Sequence, residues 1–369
     1  MSQIKITTLT PVHIGSGNFL QYNSEFVPFQ HKGQHYLGII DERKILELIG
    51  VEHLNDWVLS IERNDSTATL VQRYAPQCAT GDYLKRMDYS FADAVKPSDT
   101  LKECMHTGMG IPYIPGSSLK GAIRTAITAT LAKRHLPASV DGWRLKGLAA
   151  DMESRLFGKD PTANIFRFIQ VGDAHFERNC EIVLRLIMSL NIQKSTSLQP
   201  DSNNRKPQLV EAIAKEKMAS GSLKIDTSAY RRARYAMQNL GNLPEEIQTL
   251  QGLFQLINAH TMQLIAEEIQ FWQQVSHEKT GADKYIEKMR TLLDVARQCK
   301  PDSCVLRLGH TSGWRFITGA WGEHLDCFAP GIVNLARPNN ERKYSEYDFP
   351  KSRRTDADGK LLGFVQLSL

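Results

Sequence analysis

Residues 110–134 read GIPYIPGSSLKGAIRTAITATLAKR, and the way this stretch divides decides the fold. A short apolar run, Ile111 to Ile114, is closed by Pro115, and Gly116-Ser117-Ser118 follows as a small-residue loop. Beyond it Ile123, Ile127 and Leu131 recur at i+4 with Ala122 and Ala126 beside them, while Arg124, Lys133 and Arg134 lie off the stripe. The spacing predicts a strand, a glycine loop and the start of a helix.

The backbone of such a junction sets its chemistry. Gly116 and Gly121 let the main chain pass close to a ligand, and Ser117 or Ser118 is the expected N-cap. The first N–H groups of a helix lack intrahelical partners and carry partial positive charge, so the junction is a candidate cradle for a phosphate. Lys120 and Arg124, four apart, would reach out beside those amides. A nucleoside triphosphate loop is excluded by spacing, because Lys120 is followed by Gly121 rather than Ser or Thr. Contact with the sugar-phosphate backbone of a polynucleotide stays open, as does the plainer reading of a capped helix after a tight turn.

The surrounding chain has 369 residues, 41% hydrophobic and 23% charged, which is the composition of a soluble protein of two or three domains. No apolar run is long enough to span a membrane, and MSQIKITTLT begins like a strand; a cytoplasmic protein is expected. Cys78, Cys104, Cys180, Cys299, Cys304 and Cys327 form no C-x-x-C pair and are expected to be free thiols. The histidines show no zinc spacing, so no metal and no cofactor are expected. The net charge of +5 allows an acidic partner without requiring one.

Two further stretches share the design of the first. Ser2 to Leu9 alternates as a half-buried strand, and Thr10 to Gly17, TPVHIGSG, reads as a second strand running into a glycine-serine turn formed by Gly15, Ser16 and Gly17. His13, just before that turn, is either a catalytic base or, as preferred here, a histidine that packs or bonds to RNA or backbone. Late in the chain VLRLGHTSGW places Arg307 on a strand ahead of Gly309, His310, Ser312 and Gly313.

Between these junctions, His35 to Ile40 reads as a strand and Asp41 to Ile49 as a helix stopped by Gly50. Asp141 to Phe157 is predicted helical. Ile165 to Phe176 and Glu181 to Ile192 are predicted to be the two strands of a hairpin. Gln193 to Gln208 is a polar, proline-containing connection, either a mobile loop tip or a protruding hairpin, with an exposed loop the default. Tyr230 to Tyr235 mixes three arginines with two tyrosines and suits either stacking on single-stranded RNA or a solvated helix face. Leu243 to Lys300 is predicted helical, Trp314 to Leu325 another helix, and Leu361 to Leu369 a closing strand.

Taken together, PVHIGSG, IPGSSLKGAIR and LRLGHTSGW resemble the RAMP superfamily of CRISPR-associated RNA-binding proteins. Pro350-Lys351-Ser352-Arg353-Arg354 before a closing strand looks more narrowly like the single-copy Csm-type subunit that caps the backbone of type III-A effector complexes. The resemblance runs from Thr8 to Arg354. It implies an α+β fold of two ferredoxin-like, RRM-related domains with helical insertions, expected at 1–140 and at 141–369, the latter with a largely helical insertion around 208–300.

The resemblance also implies a function: a non-catalytic subunit that binds the 3′ part of the CRISPR guide RNA, packs against neighbouring backbone subunits, and assists guide maturation with host nucleases. Carried onto matched positions, Gly116, Ser117, Ser118, Lys120, Gly121 and Arg124 would contact the guide backbone, with Gly15, Gly17, Gly309, Ser312 and Gly313 shaping the other loops. His13, Ser16, Arg307, His310, Lys351, Arg353 and Arg354 complete the candidate RNA contacts. No catalytic residue is expected in this reading. The alternative is a metal-independent endoribonuclease in which His13 or His310 deprotonates a ribose hydroxyl and Lys120 or Arg124 steadies the phosphate. A third class is a structural adaptor whose glycine loops dock protein neighbours.

Overall fold

Alternating and i+4 patterns settle along the chain into strands and helices in the following order. β1 (Ser2–Thr8), β2 (Gly15–Gln21), β3 (Phe26–His31) and β4 (Gln34–Ile40) precede the helices α1 (Glu42–Ile49), α2 (Leu54–Glu62) and α3 (Thr67–Tyr74). β5 (Leu84–Tyr89), β6 (Thr100–Cys104) and β7 (Tyr113–Ile114) lead into α4 (Gly116–Arg134) and α5 (Leu148–Phe157). Next come β8 (Ile169–Val171), β9 (Ala174–Phe176), β10 (Ile182–Asn191), β11 (Gln208–Ile213) and β12 (Met218–Ile225). α6 (Thr227–Ala236), α7 (Leu250–Val275) and α8 (Thr280–Arg297) are followed by β13 (Ser303–Arg307), β14 (Ser352–Asp356) and β15 (Phe364–Ser368). The computed structural model describes residues 1–89, 95–135, 148–191, 207–275, 280–325, 328, 350, 352–356 and 359–369.

The strands build two sheets. The first has the order β13-β15-β1-β12-β9-β7, with β8 also on β12, and its pairings are antiparallel. The second has the order β2-β6-β11-β10-β5-β4-β3, with β14 on the far end of β10. Its β6–β11 and β5–β10 pairs are parallel. The fold is α+β as expected. The sheets do not divide at residue 140: β1 lies between β12 and β15 in the first sheet, and β11 lies between β6 and β10 in the second.

α4 and α7 cover the first sheet. Leu119, Ile123 and Ile127 of α4 join Ile4 and Ile6 of β1, Leu223 of β12, and Leu253, Phe254 and Ile257 of α7 in one core. Each such side chain taken wholly out of water contributes about 1.5–3 kcal/mol. A second core is formed where Trp272, Tyr285 and Met289 of α7 and α8 meet Val305 of β13 and Phe364 of β15. The helices α1 to α3 pack Ile45, Ile49, Trp57, Leu70 and Val71 against Ile40 and Leu84 of the second sheet.

Several expectations change. The strand from Ile111 is only Tyr113–Ile114, because His106 and Pro112 form an isolated bridge before it. Gly15-Ser16-Gly17 is not a turn after a strand but the bulged start of β2 itself, where the register against β6 slips between Gly15 and Phe19. The predicted hairpin of residues 165–192 does not form. The Asn164 side chain caps Phe166 N–H at 2.9 Å and starts a 3-10 turn over Ile165–Phe168, after which β8 and β9 join the first sheet and β10 the second. Leu243 to Lys300 holds two helices, α7 and α8, and Trp314 to Leu325 holds 3-10 turns at Trp314–Phe316 and Thr318–His324. Most of the connection from Gln193 to Gln208 lies outside the described residues, as do Lys351 and Cys327. The five described cysteines are free thiols.

Candidate nucleic-acid interface

α4 begins one residue earlier than its serines suggest. Pro115 is the N-cap, and the N–H groups of Ser118 and Leu119 donate to its carbonyl at 3.0 and 3.1 Å. Gly116 N–H donates to Asp173 Oδ1 at 2.7 Å, so a carboxylate of this chain already occupies the helix N-terminus. Gly116 is glycine for packing, since a Cβ there would stand 2.5 Å from Val171 O. The expected phosphate cradle at the first amides is therefore filled, and Ser117 and Ser118 are not caps.

What remains open is the outward face of the first two turns. Ser117, Lys120, Gly121 and Arg124 fall at i, i+3, i+4 and i+7 and so share one face. Ser117 and Gly121 are exposed, Lys120 and Arg124 half-buried. A Cβ on Gly121 would meet nothing within 4 Å, although glycine inside a helix costs about 1 kcal/mol relative to alanine. Nothing in the described chain requires glycine there, whereas a partner backbone seated against the helix would.

Partial burial, with Arg124 beside it, lowers the Lys120 ammonium below its ordinary value. Arg124 is partly committed: Nη2 donates to Glu153 Oε2 at 2.6 Å, and the guanidinium lies over the Phe166 ring at 5.1 Å. Beside them opens a cleft of about 500 Å³ whose walls include Lys159, Asn164 and Arg167.

The first and last glycine junctions meet each other. His310 N–H donates to His13 O at 2.9 Å, and the two rings stand edge to face with centroids 5.6 Å apart. Gly309 has φ +82 and a Cβ there would stand 2.5 Å from His13 O, so only glycine permits the crossing. His13 is buried and its Nδ1 lies 2.6 Å from Glu211 O. A carbonyl only accepts, so Nδ1 carries the proton and Nε2 the lone pair. Burial holds His13 below the usual histidine range despite Glu211, and burial with Lys102, His13 and Arg354 brings His310 down to about 4. Ser312 Oγ donates to Gly309 O at 2.6 Å, while Gly313 (φ +78) and Gly17 (φ +99) adopt left-handed backbone with open space around them. Thr311, a β-branched residue, is held at φ +76, a conformation that costs about 1–3 kcal/mol.

Two arginines of the candidate set are structural. Arg307 is buried between the Phe316 and Phe364 rings at 4.8 and 4.7 Å, with Nε donating to Leu362 O and Nη2 to Thr311 O at 3.1 Å each. Burial pushes its guanidinium below the usual arginine value. Arg353 is buried against Glu268 of α7, which also accepts from Tyr285 Oη at 2.7 Å and Arg315 Nη1 at 3.0 Å. Neither reaches solvent. These two are corrections to the candidate RNA contacts: Arg307 holds the 309–313 loop from beneath through Thr311 O, and Arg353 ties its strand to α7. Arg354, the next residue, is exposed.

A buried charge network underlies Gly15 and Ser16. Ser16 Oγ donates to Glu103 Oε2 at 3.0 Å, and Arg86 Nη2 bridges Glu103 and Glu211 at 3.0 and 2.6 Å. Asp88, wholly buried, is pushed well above the usual carboxylate range by burial and by Glu211, whereas Arg86 keeps Glu211 ionised against its own burial. Tyr230 to Tyr235 lies on α6. Tyr230 is buried and bonded to Asn242 and to Leu243 N–H, while Tyr235 is 97% exposed. Among the described residues no group of His, Cys, Asp and Glu is placed to hold a metal ion, and no described helix is long and apolar enough to cross a membrane.

Lys102, Gln208, Phe19 and Asp173 were not foreseeable as site residues, because no motif surrounds them; only the pairing of β2, β6 and β11 and the β8–β9 turn bring them to these places.

A fold with two such sheets and glycine junctions at the ends of the chain is a RAMP fold, and the chain belongs to the RAMP superfamily, whose family model matches residues 5–309. It is similar over its whole length to a chain in the cryo-EM structure of a Csm–crRNA–target RNA ternary complex of a type III-A CRISPR-Cas system, with TM-score 0.71, 20% identity and full coverage of both chains. It is also similar to T. onnurineus Csm5 in a crystal structure, with TM-score 0.65, 21% identity and coverage of 99% of this chain and 100% of that one. No curated protein matches the sequence.

Proposed function

We propose that this chain is a non-catalytic CRISPR RNA-binding subunit of a type III-A (Csm) effector complex, seated at the 3′ part of the guide RNA where it caps the backbone of repeating subunits. Assistance to guide maturation, with host nucleases doing the trimming, belongs to the same reading. The observation that carries it is the outward stripe Ser117-Lys120-Gly121-Arg124, a helix face with cations and a glycine that the chain's own packing does not need. The whole-length likeness to a chain of a Csm–crRNA–target RNA complex and to Csm5 supports it. Contacts of this kind read backbone shape rather than sequence, so the protein itself discriminates little among guides.

The test is binding of labelled single-stranded RNA across a salt series. Lys120→Ala is expected to weaken binding alike for unrelated sequences and to lower the slope of log K against log salt by about one. A folded Lys120→Ala protein with an unchanged slope removes this lysine from the phosphate contacts.

A second reading, a metal-independent endoribonuclease, is favoured by the meeting of His13 and His310. His13 Nε2 has a free lone pair and could act as base, but its ring is 2% exposed. Incubation of end-labelled RNA with the chain in EDTA separates the readings: intact, shifted RNA supports the binding subunit, and discrete cleavage lost in His13→Ala supports the enzyme.

A further inference from the structure

The second sheet carries a group of donors that share too few acceptors. Lys102 of β6 places Nζ 3.0 Å from Gln208 Oε1, Arg354 of β14 places Nη1 3.0 Å from the same oxygen, and His310 Nε2 stands 3.1 Å from it. One carboxamide oxygen has two lone pairs, and three nitrogens converge on it. Turning the amide over would set its NH2 against the same three groups, which is worse. Arg354 Nη1 also lies 3.2 Å from His310 Nε2, so that nitrogen is asked to donate to Gln208 and to accept from Arg354 at once. An acceptor with more lone pairs would resolve both conflicts.

From these contacts we infer that Lys102, Gln208, His310 and Arg354 form a binding site for a phosphodiester of single-stranded RNA on the face of the second sheet, separate from the α4 stripe. The inference rests on the RNA-binding reading given above and adds a second point of contact. A phosphate oxygen takes the hydrogen bonds that now crowd Gln208, and Gln208 is left to donate through its amide. Beside the site the Phe19 ring is 54% exposed, with Lys102 Nζ 5.5 Å from its centroid, and offers a surface for the adjoining base.

Proton uptake accompanies occupancy. The charged and titratable groups facing His310 are Lys102 from β6, Arg354 from β14 and His13 from the segment before β2, and all of them disfavour the imidazolium. A phosphate reverses that balance, so the bound state holds His310 protonated at pH values where the free state does not. Affinity therefore rises as pH falls through the bound-state value and levels off below about 4, the free-state value.

The experiment uses the full chain, a short labelled oligouridylate, and inorganic phosphate as competitor, at pH 5.5 and 7.5. Roughly tenfold tighter binding at the lower pH is expected for the unaltered chain, and a flat profile for His310→Gln. Lys102→Gln and Arg354→Gln should each lower the salt slope by about one, and Phe19→Ala should weaken RNA binding while leaving competition by phosphate unchanged. If Lys102→Gln, Arg354→Gln and His310→Gln all bind as the unaltered chain does while Lys120→Ala is weakened, the site is wrong and the RNA-binding function stands. If the unaltered chain binds no RNA at either pH, both fall together.

Discussion

Glu268 grips Arg353 with two hydrogen bonds, Nε to Oε2 at 2.6 Å and Nη2 to Oε1 at 2.7 Å, and both side chains are almost sealed from water. The pair ties the helical insertion to the strand that delivers Arg354 to the surface. Breaking it on one side leaves an arginine buried without its anion. Glu268→Gln is therefore expected to lower unfolding stability by about 3–5 kcal/mol, read as a fall in the urea midpoint. A loss below about 1 kcal/mol would show that the pair does not hold the insertion to the strand.

Two glycines of one helix should respond in opposite ways to the same change. Gly116→Ala drives a methyl against Val171 O and should cost about 1–3 kcal/mol of stability. Gly121→Ala meets open space and should raise stability by up to about 1 kcal/mol while weakening RNA binding. Thermal unfolding and RNA titration of both proteins check the pair. Equal affinity in Gly121→Ala would show that no partner approaches that face.

Gly309→Ala combines a φ of +82 with a clash against His13 O. It should cost more than about 1 kcal/mol and separate the two junctions. Slowed amide exchange at His310 N–H in the unaltered chain and its loss in the variant would report the separation by hydrogen exchange.

Asp88 gives a pH dependence whose sign is fixed by its environment. Its folded-state pKa lies above the unfolded value, so the folded chain holds the extra proton and stability declines as pH rises from about 4 through the folded pKa. Asp88→Asn keeps the shape without the ionisation. The variant should match the unaltered chain at low pH and exceed it above neutrality, in urea unfolding followed across pH. A decline with pH that persists unchanged in Asp88→Asn would assign it to another group.

Local signals carried much of the fold. α1 follows from its apolar spacing, from the Asp41 side chain that accepts from Arg43 N–H at 3.1 Å, and from Gly50 at φ +86, all of which lie within the helix and its flanks. The hairpin at 165–192 was illegible because alternation reports a half-buried strand but not which sheet buries it. The same limit governed the site. Charge and motif picked out Arg307 in LRLGHTSGW and Arg353 and Arg354 in PKSRR alike, yet only the packing of Phe316, Phe364 and Glu268 separates the two structural guanidiniums from the exposed one. Asp173, which fills the helix N-terminus, sits in an unremarkable stretch and gains its role only through the turn between β8 and β9.

The place of β1 between β12 and β15 bears on how the molecule is made. During synthesis residues 2–8 are made long before residues 365–368, the strand that pairs with Lys5 to Thr8 along one edge. Until then Ile4 and Ile6, fully interior in the finished sheet, belong to a strand with one edge unpaired, the condition under which nascent chains aggregate. A nascent chain of this protein has reason to be shielded by a chaperone or a neighbouring subunit until residues 365–368 have been made.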